Sequence, residues 1–142
     1  MTAKNILVSD DESKINFKRL EQSLHDLRFE VSAQLIVLAD AAGQLLLASG
    51  SIDDFDSTLL LPLINRSLSP ASEVAQHLNE ERGLNLVYHE GARFDVYATD
   101  IQSNLYLVLA FDRQQGLSRV GMVWLYMKRA VQELQSLIAA QM

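Results

Sequence analysis

Cysteine is missing from the 142 residues, and with it every disulfide, thiolate nucleophile and cysteine-bound zinc site. That absence fits a reducing compartment. Proline occurs twice, and none of the six glycines has the spacing of a Walker or dinucleotide-binding turn. Phosphate-cradling loops of those kinds are excluded. Positive charge is the minority, with twelve Lys and Arg against eighteen Asp and Glu, a formal net charge of −6. Nucleic acids and anionic membranes are recognised by clustered positive charge, so neither is an expected partner. Nothing approaches the roughly 18 apolar residues of a membrane span. Met1–Glu12, carrying Asp10, Asp11 and Glu12 after a four-residue apolar run, reads as a loose tail and not as a signal peptide. The expectation is a soluble, cytoplasmic chain.

What is present suits one ordinary domain, residues 13–142. Hydrophobic residues make up 49% and charged residues 21%, which argues against disorder. Phe17, Leu20, Leu24 and Leu27 recur at helical spacing, predicting a first helix over about Ser13–Phe29 with Ser13 as its cap. The apolar run Leu35–Ala39, the turn Asp40-Ala41-Ala42-Gly43 and the run Leu45–Ala48 read as a hairpin. Its first strand is apolar on both faces, so both faces of the sheet must be covered.

A second helical region follows from about Ser57 to Arg82, with Gly83 as its cap. Pro62 suits a first turn. Ser69-Pro70 reads either as a kink or as the start of a separate helix, and both readings stay open. Alternation then predicts strands over Leu84–His89, Phe94–Thr99 and Leu105–Phe111, the last apolar throughout and therefore central. A final helix is expected from near Leu117, with Leu117, Val120, Trp124, Met127, Val131, Leu134 and Ile138 on one stripe. The order is α-β-β-α-β-β-β-α: an α/β (α+β) fold with a five-stranded, mostly antiparallel sheet sandwiched between helices.

No group of residues organises a reaction. His25, His77 and His89 lack partners at zinc-binding spacing, and Asp53, Asp54 and Asp56 serve the dipole at a helix start. No nucleophile is paired with a base. A non-catalytic binding module without cofactor or metal is expected.

The second helical region is more apolar than one buried face requires. At about 100° per residue, Leu60, Ile64, Ala71, Val74 and Leu78 fall on one line, read as the core stripe. Leu61, Leu68 and Ala75 form a second line flanked by Ser72. That line is either part of a wide core stripe or a second contact surface. On the latter reading, Leu61, Leu68, Ser72 and Ala75 bind a partner. The strand Leu84–His89 is an expected sheet edge, and without lysine or proline it is either covered or paired with another chain.

Tyr88-His89-Glu90-Gly91-Ala92, Tyr97-Ala98-Thr99, Leu107-Val108-Leu109 and Phe111-Asp112-Arg113 resemble the Roadblock family of dynein light-chain type. Gly116-Leu117-Ser118-Arg119-Val120 and Met127-Lys128-Arg129-Ala130 continue the likeness, which spans about Ser32 to Ile138 and is strongest toward the bacterial gliding-motility and cell-polarity branch. The resemblance implies the Roadblock/profilin-like arrangement and a homodimer whose second helices pack together and whose third strands pair. The residues implied at that interface are Leu60, Ile64, Ala71, Val87, Tyr88 and His89. It further implies binding to a Ras-like small GTPase, with stimulated GTP hydrolysis achieved by repositioning the partner's own residues. Arg66, Arg82 and Arg93 are then not expected to act as arginine fingers. The chain departs from the family in its Leu61-Pro62-Leu63 and Ser69-Pro70, and it ends without the basic extension that some members carry. Two other readings remain: a small-molecule sensor of PAS or GAF type, and a structural adaptor.

Overall fold

The computed structural model describes residues 11–53, 55–78, 85–102 and 105–139, the side chains of 11–16, 57–59, 69–72, 75, 102 and 139 excepted. In chain order they form α1 (Asp11–Val31), β1 (Leu35–Asp40), β2 (Leu45–Gly50), α2 (Ser57–His77), β3 (Leu86–Glu90), β4 (Phe94–Gln102), β5 (Leu105–Asp112) and α3 (Val120–Ala139). The five strands lie in the order β2-β1-β5-β4-β3, every neighbour antiparallel, so β5 is central and β3 is an edge. This is the expected α-β-β-α-β-β-β-α order around one sheet.

Side-chain alternation sorts the sheet into two apolar faces. Ile36 and Leu38 of β1, Leu107, Leu109 and Phe111 of β5, and Tyr97 and Ile101 of β4 pack beneath α1 and α3 with Leu20, Leu24, Leu27, Met127, Val131 and Leu134. The other face carries mostly smaller groups, Val37 and Ala39, Val108 and Ala110, and Ala98, with Leu35 and Tyr106 the larger ones. Those alanines let one helix, α2, sit close, and Leu61 and Leu68 fill the space between.

The first half of α2 is fastened to the sheet. Tyr106 Oη donates to the Leu61 carbonyl at 2.9 Å, deep in the fold. Asn65 Nδ2 donates to the Ala41 carbonyl in the β1–β2 turn at 2.8 Å. In that turn Asp40 Oδ1 accepts from the amides of Ala42 and Gln44. Gly43 has φ of +82°, and a side chain there would strike the Pro62 ring.

Four expectations change. Helix α1 starts at Asp11, which places Ser13 inside it and not at a cap. Helix α2 is continuous through Pro62 and Pro70, deciding for one helix, and it ends at His77; Arg82 and Gly83 lie outside the described residues. Helix α3 begins at Val120, and Leu117 is exposed, because Ser118 just before it is held by β4. Val120 is exposed as well, and the buried stripe starts with Val123. Residues 1–10, the greater part of the expected tail, lie outside the described residues.

Burial pushes the Tyr106 phenol up to about 12, and the neighbouring Asp40 carboxylate adds to the shift. An unfolded tyrosine ionises near pH 10. Above that pH the unfolded chain sheds a proton that the folded chain keeps, so this contribution is complete below about pH 10 and is lost as pH rises through about 12. Urea unfolding across this window should show stability falling with pH, and Tyr106→Phe should flatten the fall while costing about 1 kcal/mol at neutral pH. An unchanged slope in the variant would contradict the assignment.

Candidate functional site

The motifs that carry the family likeness meet at one end of the sheet. β3 and β4 are joined by the turn at Gly91, whose amide donates to the Phe94 carbonyl at 2.9 Å. Any β-carbon at Gly91 would lie 2.6 Å from that carbonyl oxygen, which is why the turn takes glycine. The end of β5 lies alongside. Arg113 Nη1 donates to Asp95 Oδ1 at 2.9 Å and reaches Glu90 Oε1 at 3.4 Å, while Arg93 pairs with Asp112 at 3.5 Å. Asp95 is buried, and its second oxygen accepts from Ser118 Oγ at 2.9 Å. Because the carboxylate takes the serine proton, Tyr97 Oη donates in turn to Ser118 Oγ at 2.7 Å.

The hydrogen bond to Asp95 raises the Arg113 pKa further. Burial raises the Tyr97 phenol, so both partners keep the protonation state their bonds need. The cluster fixes the β3–β4 hairpin and the entry to α3 against each other. No group of three or more His, Asp or Glu among the described residues could hold a metal ion. The role of the cluster is to position the edge strand.

The surface so positioned is apolar. Along α2, Leu60, Leu63, Ile64, Ser67, Val74 and Leu78 recur at spacings of three and four, rotated by about 90° from the buried Leu61 and Leu68. This flank and the edge of the sheet enclose an open groove of about 260 Å³, floored by Val87 and His89 of β3 and Val96 and Ala98 of β4 and closed by Phe55. Leu63, Val74 and Leu78 stand 52%, 57% and 63% exposed. For aliphatic side chains on one helix, that is an unusual concentration.

The residues expected to mediate contacts therefore divide. Leu60, Ile64, Val87 and His89 meet in the groove. Tyr88 points to the opposite face, where its ring lies 4.6 Å from that of Tyr97. Leu61 and Leu68 are 1% and 7% exposed in the chain's own core and leave no side-chain area for a partner; their place on a binding surface is corrected. The assumed core line was equally inverted, since Val74 and Leu78 face outward. The side chains of Ala71, Ser72 and Ala75 lie outside the described residues. Leu63, Phe55 and Val96 were missed, although Leu63 follows Leu60 at helical spacing. Of the histidines, His25 lies 3.3 Å from Ser49 Oγ and His77 is exposed.

No family model matches the chain, and no curated protein matches it. Solved structures do. MglB of Myxococcus xanthus matches with a TM-score of 0.73 and 26% identity, over 89% of this chain and 92% of its own. The gliding protein MglB of Thermus thermophilus matches with 0.70 and 23%, over 88% and 92%. A Roadblock/LC7 domain from Streptomyces avermitilis matches with 0.64 and 14%, over 82% and 94%. The chain has the Roadblock/LC7 fold, and the family resemblance read in its motifs is borne out.

The positioning cluster makes a graded prediction. Asp95→Ala removes the shared acceptor of Arg113 and Ser118 and should cost about 1–3 kcal/mol in chemical denaturation. Glu90→Ala, which removes a largely exposed partner at longer range, should cost about 0.5 kcal/mol or less. Equal losses would show that Asp95 does not hold the cluster.

Proposed function

We propose that this Roadblock-fold chain acts as a cytoplasmic homodimer that binds a Ras-like small GTPase and stimulates its GTP hydrolysis, itself contributing no catalytic group. The observation that carries the dimer is geometric. Five strands about 4.8 Å apart span about 19 Å between the outer strand axes, whereas a helix with its side chains covers about 10 Å. Among the described residues, two helices lie on one face of the sheet and only α2 on the other. The remaining strip, over β3 and β4, is the apolar groove. A second copy supplying its own α2 flank and β3 edge would cover that strip and pair the open edge in a single two-fold contact.

The partner reading follows from the likeness to MglB across nine-tenths of the chain, together with the GTPase role that the family resemblance implies. With Leu61 and Leu68 in the core, the partner surface falls to the second half of α2, at Ser72 and Ala75. The neighbouring Glu73, Gln76 and His77 are exposed there. A sensor reading gains no support from Tyr106, the polar residue of Leu105–Phe111, because its hydroxyl is bonded to α2.

Sedimentation at micromolar concentration should give about twice 15.9 kDa. Val74→Asp should yield a monomer with an unchanged circular dichroism spectrum. A wild-type monomer would sink the dimer. Ala75→Arg should abolish GTPase capture from a folded dimer; unfolding instead would place Ala75 in the core.

Stimulation is expected to proceed without an arginine finger. A supplied finger is worth about 10³ to 10⁵ in rate. Arg66 lies on a helix surface and Arg93 is held near Asp112. Alanine at Arg66, Arg82 or Arg93 should therefore cost less than about tenfold in stimulated hydrolysis, or about 1.4 kcal/mol. A thousandfold loss with binding intact would identify a finger.

A further inference from the structure

The acidic overall charge conceals a sharp asymmetry. Between Asp112 and Glu133 the chain carries Arg113, Arg119, Lys128 and Arg129 and no acid. Outside that stretch all eighteen acids face eight bases, a balance of −10. Arg113 belongs to the Asp95 cluster. The other three bases are exposed around the start of α3, where Leu117, Met122 and Leu125 are exposed too, Leu117 by 72%.

Leu125 and Met122 project opposite the buried line of Val123, Met127 and Val131, so the core gives no account of them. Beside them is Gly121, at which an added methyl would touch nothing. It is the second residue of α3, and no contact within the described fold requires a glycine there. It leaves a notch at which another backbone can approach Leu125. The basic groups are arranged at the rim: Lys128 Nζ lies 5.5 Å from the Trp124 ring and the Arg129 guanidinium 5.6 Å from that of Tyr126. These contacts orient the cations without neutralising them.

We infer that this face of α3 is a second docking surface, independent of the α2 groove, and that its occupant is an acidic amphipathic segment of another protein. Its leucine-type side chains would seat on Leu117, Met122 and Leu125, and its carboxylates would face Arg119, Lys128 and Arg129. Charge complementarity selects this occupant. An anionic membrane would meet the same three cations together with the repulsion of a body carrying −10, and juxtamembrane bases supply only about 1 kcal/mol each. The surface lies on the α1–α3 side of the sheet and the groove on the α2 side, so both can be occupied at once. The chain would then join two partners.

The test uses the full chain and a synthetic helical peptide bearing leucine at i, i+3, i+4 and i+7 and glutamate elsewhere, with its lysine counterpart as control. In nuclear magnetic resonance titrations the acidic peptide should shift the amides of residues 117–129, and its affinity should fall about tenfold or more between low and high salt. Leu125→Asp and Arg129→Glu should each weaken it by about tenfold or more, whereas Leu63→Asp on the opposite face should not. Arg129→Glu decides the matter if Leu125→Asp fails to fold. Three results would overturn the proposal: equal binding of the lysine peptide, sedimentation of the chain with phosphatidylglycerol vesicles that Arg129→Glu abolishes, or a fall in native mass in Arg129→Glu, which would make the occupant a second copy.

Discussion

The structure is governed by a mismatch in covering. β1 and β5 are apolar on both faces, so both faces of the sheet must be shielded from water. Among the described residues one face receives two helices and the other only α2. The deficit falls at the β3 edge, where Val87 and Val96 lie half-buried beside an aliphatic helix flank. A domain of this size tolerates such a strip, but it is costly to leave wet, at about 25 cal/mol for each Å² of apolar surface. The proposed dimer would complete a core that the described residues leave open on one side.

That completion requires the edge to be held still. The Asp95 carboxylate receives Arg113 on one oxygen and Ser118 on the other, with Tyr97 bonded behind the serine. Through it the β3–β4 hairpin, the end of β5 and the approach to α3 share one anchor. The same anchor shortens α3, leaving Leu117 outside the helix beside the basic rim. Both proposed surfaces thus depend on one buried acid, although they lie on opposite sides of the sheet.

The order of elements was legible in the sequence because strand alternation and turn chemistry are local. Leu105–Phe111 announced a central strand by being apolar at every position, and Asp40–Gly43 announced its turn. The orientation of α2 was not legible. Two apolar lines about 90° apart satisfy the same periodicity, and only tertiary contacts choose between them: Tyr106 reaching the Leu61 carbonyl, Pro62 against Gly43, and small side chains on the facing strands that draw Leu61 and Leu68 inward. The start of α3 was misplaced for a related reason, since the hydroxyl of Ser118 bonds to β4, far from it in sequence. Leu60 and Ile64, which line the groove, had been read from helix spacing as core, and only the family resemblance implied them at an interface; the unprotected edge strand pointed to the segment that carries Val87 and His89. The basic face of α3 went unseen because three cations spread over eleven residues do not form a run.

Amide hydrogen exchange followed over a hundredfold range of protein concentration tests the central claim most directly. Alternate amides of an edge strand point away from the sheet, and only a paired edge protects them. If a second copy covers the groove, the outward amides of β3 gain protection as concentration rises, together with the flank of α2, while those of β2, the opposite edge, do not. Protection at β3 that is independent of concentration, or that rises equally at β2, would contradict the account.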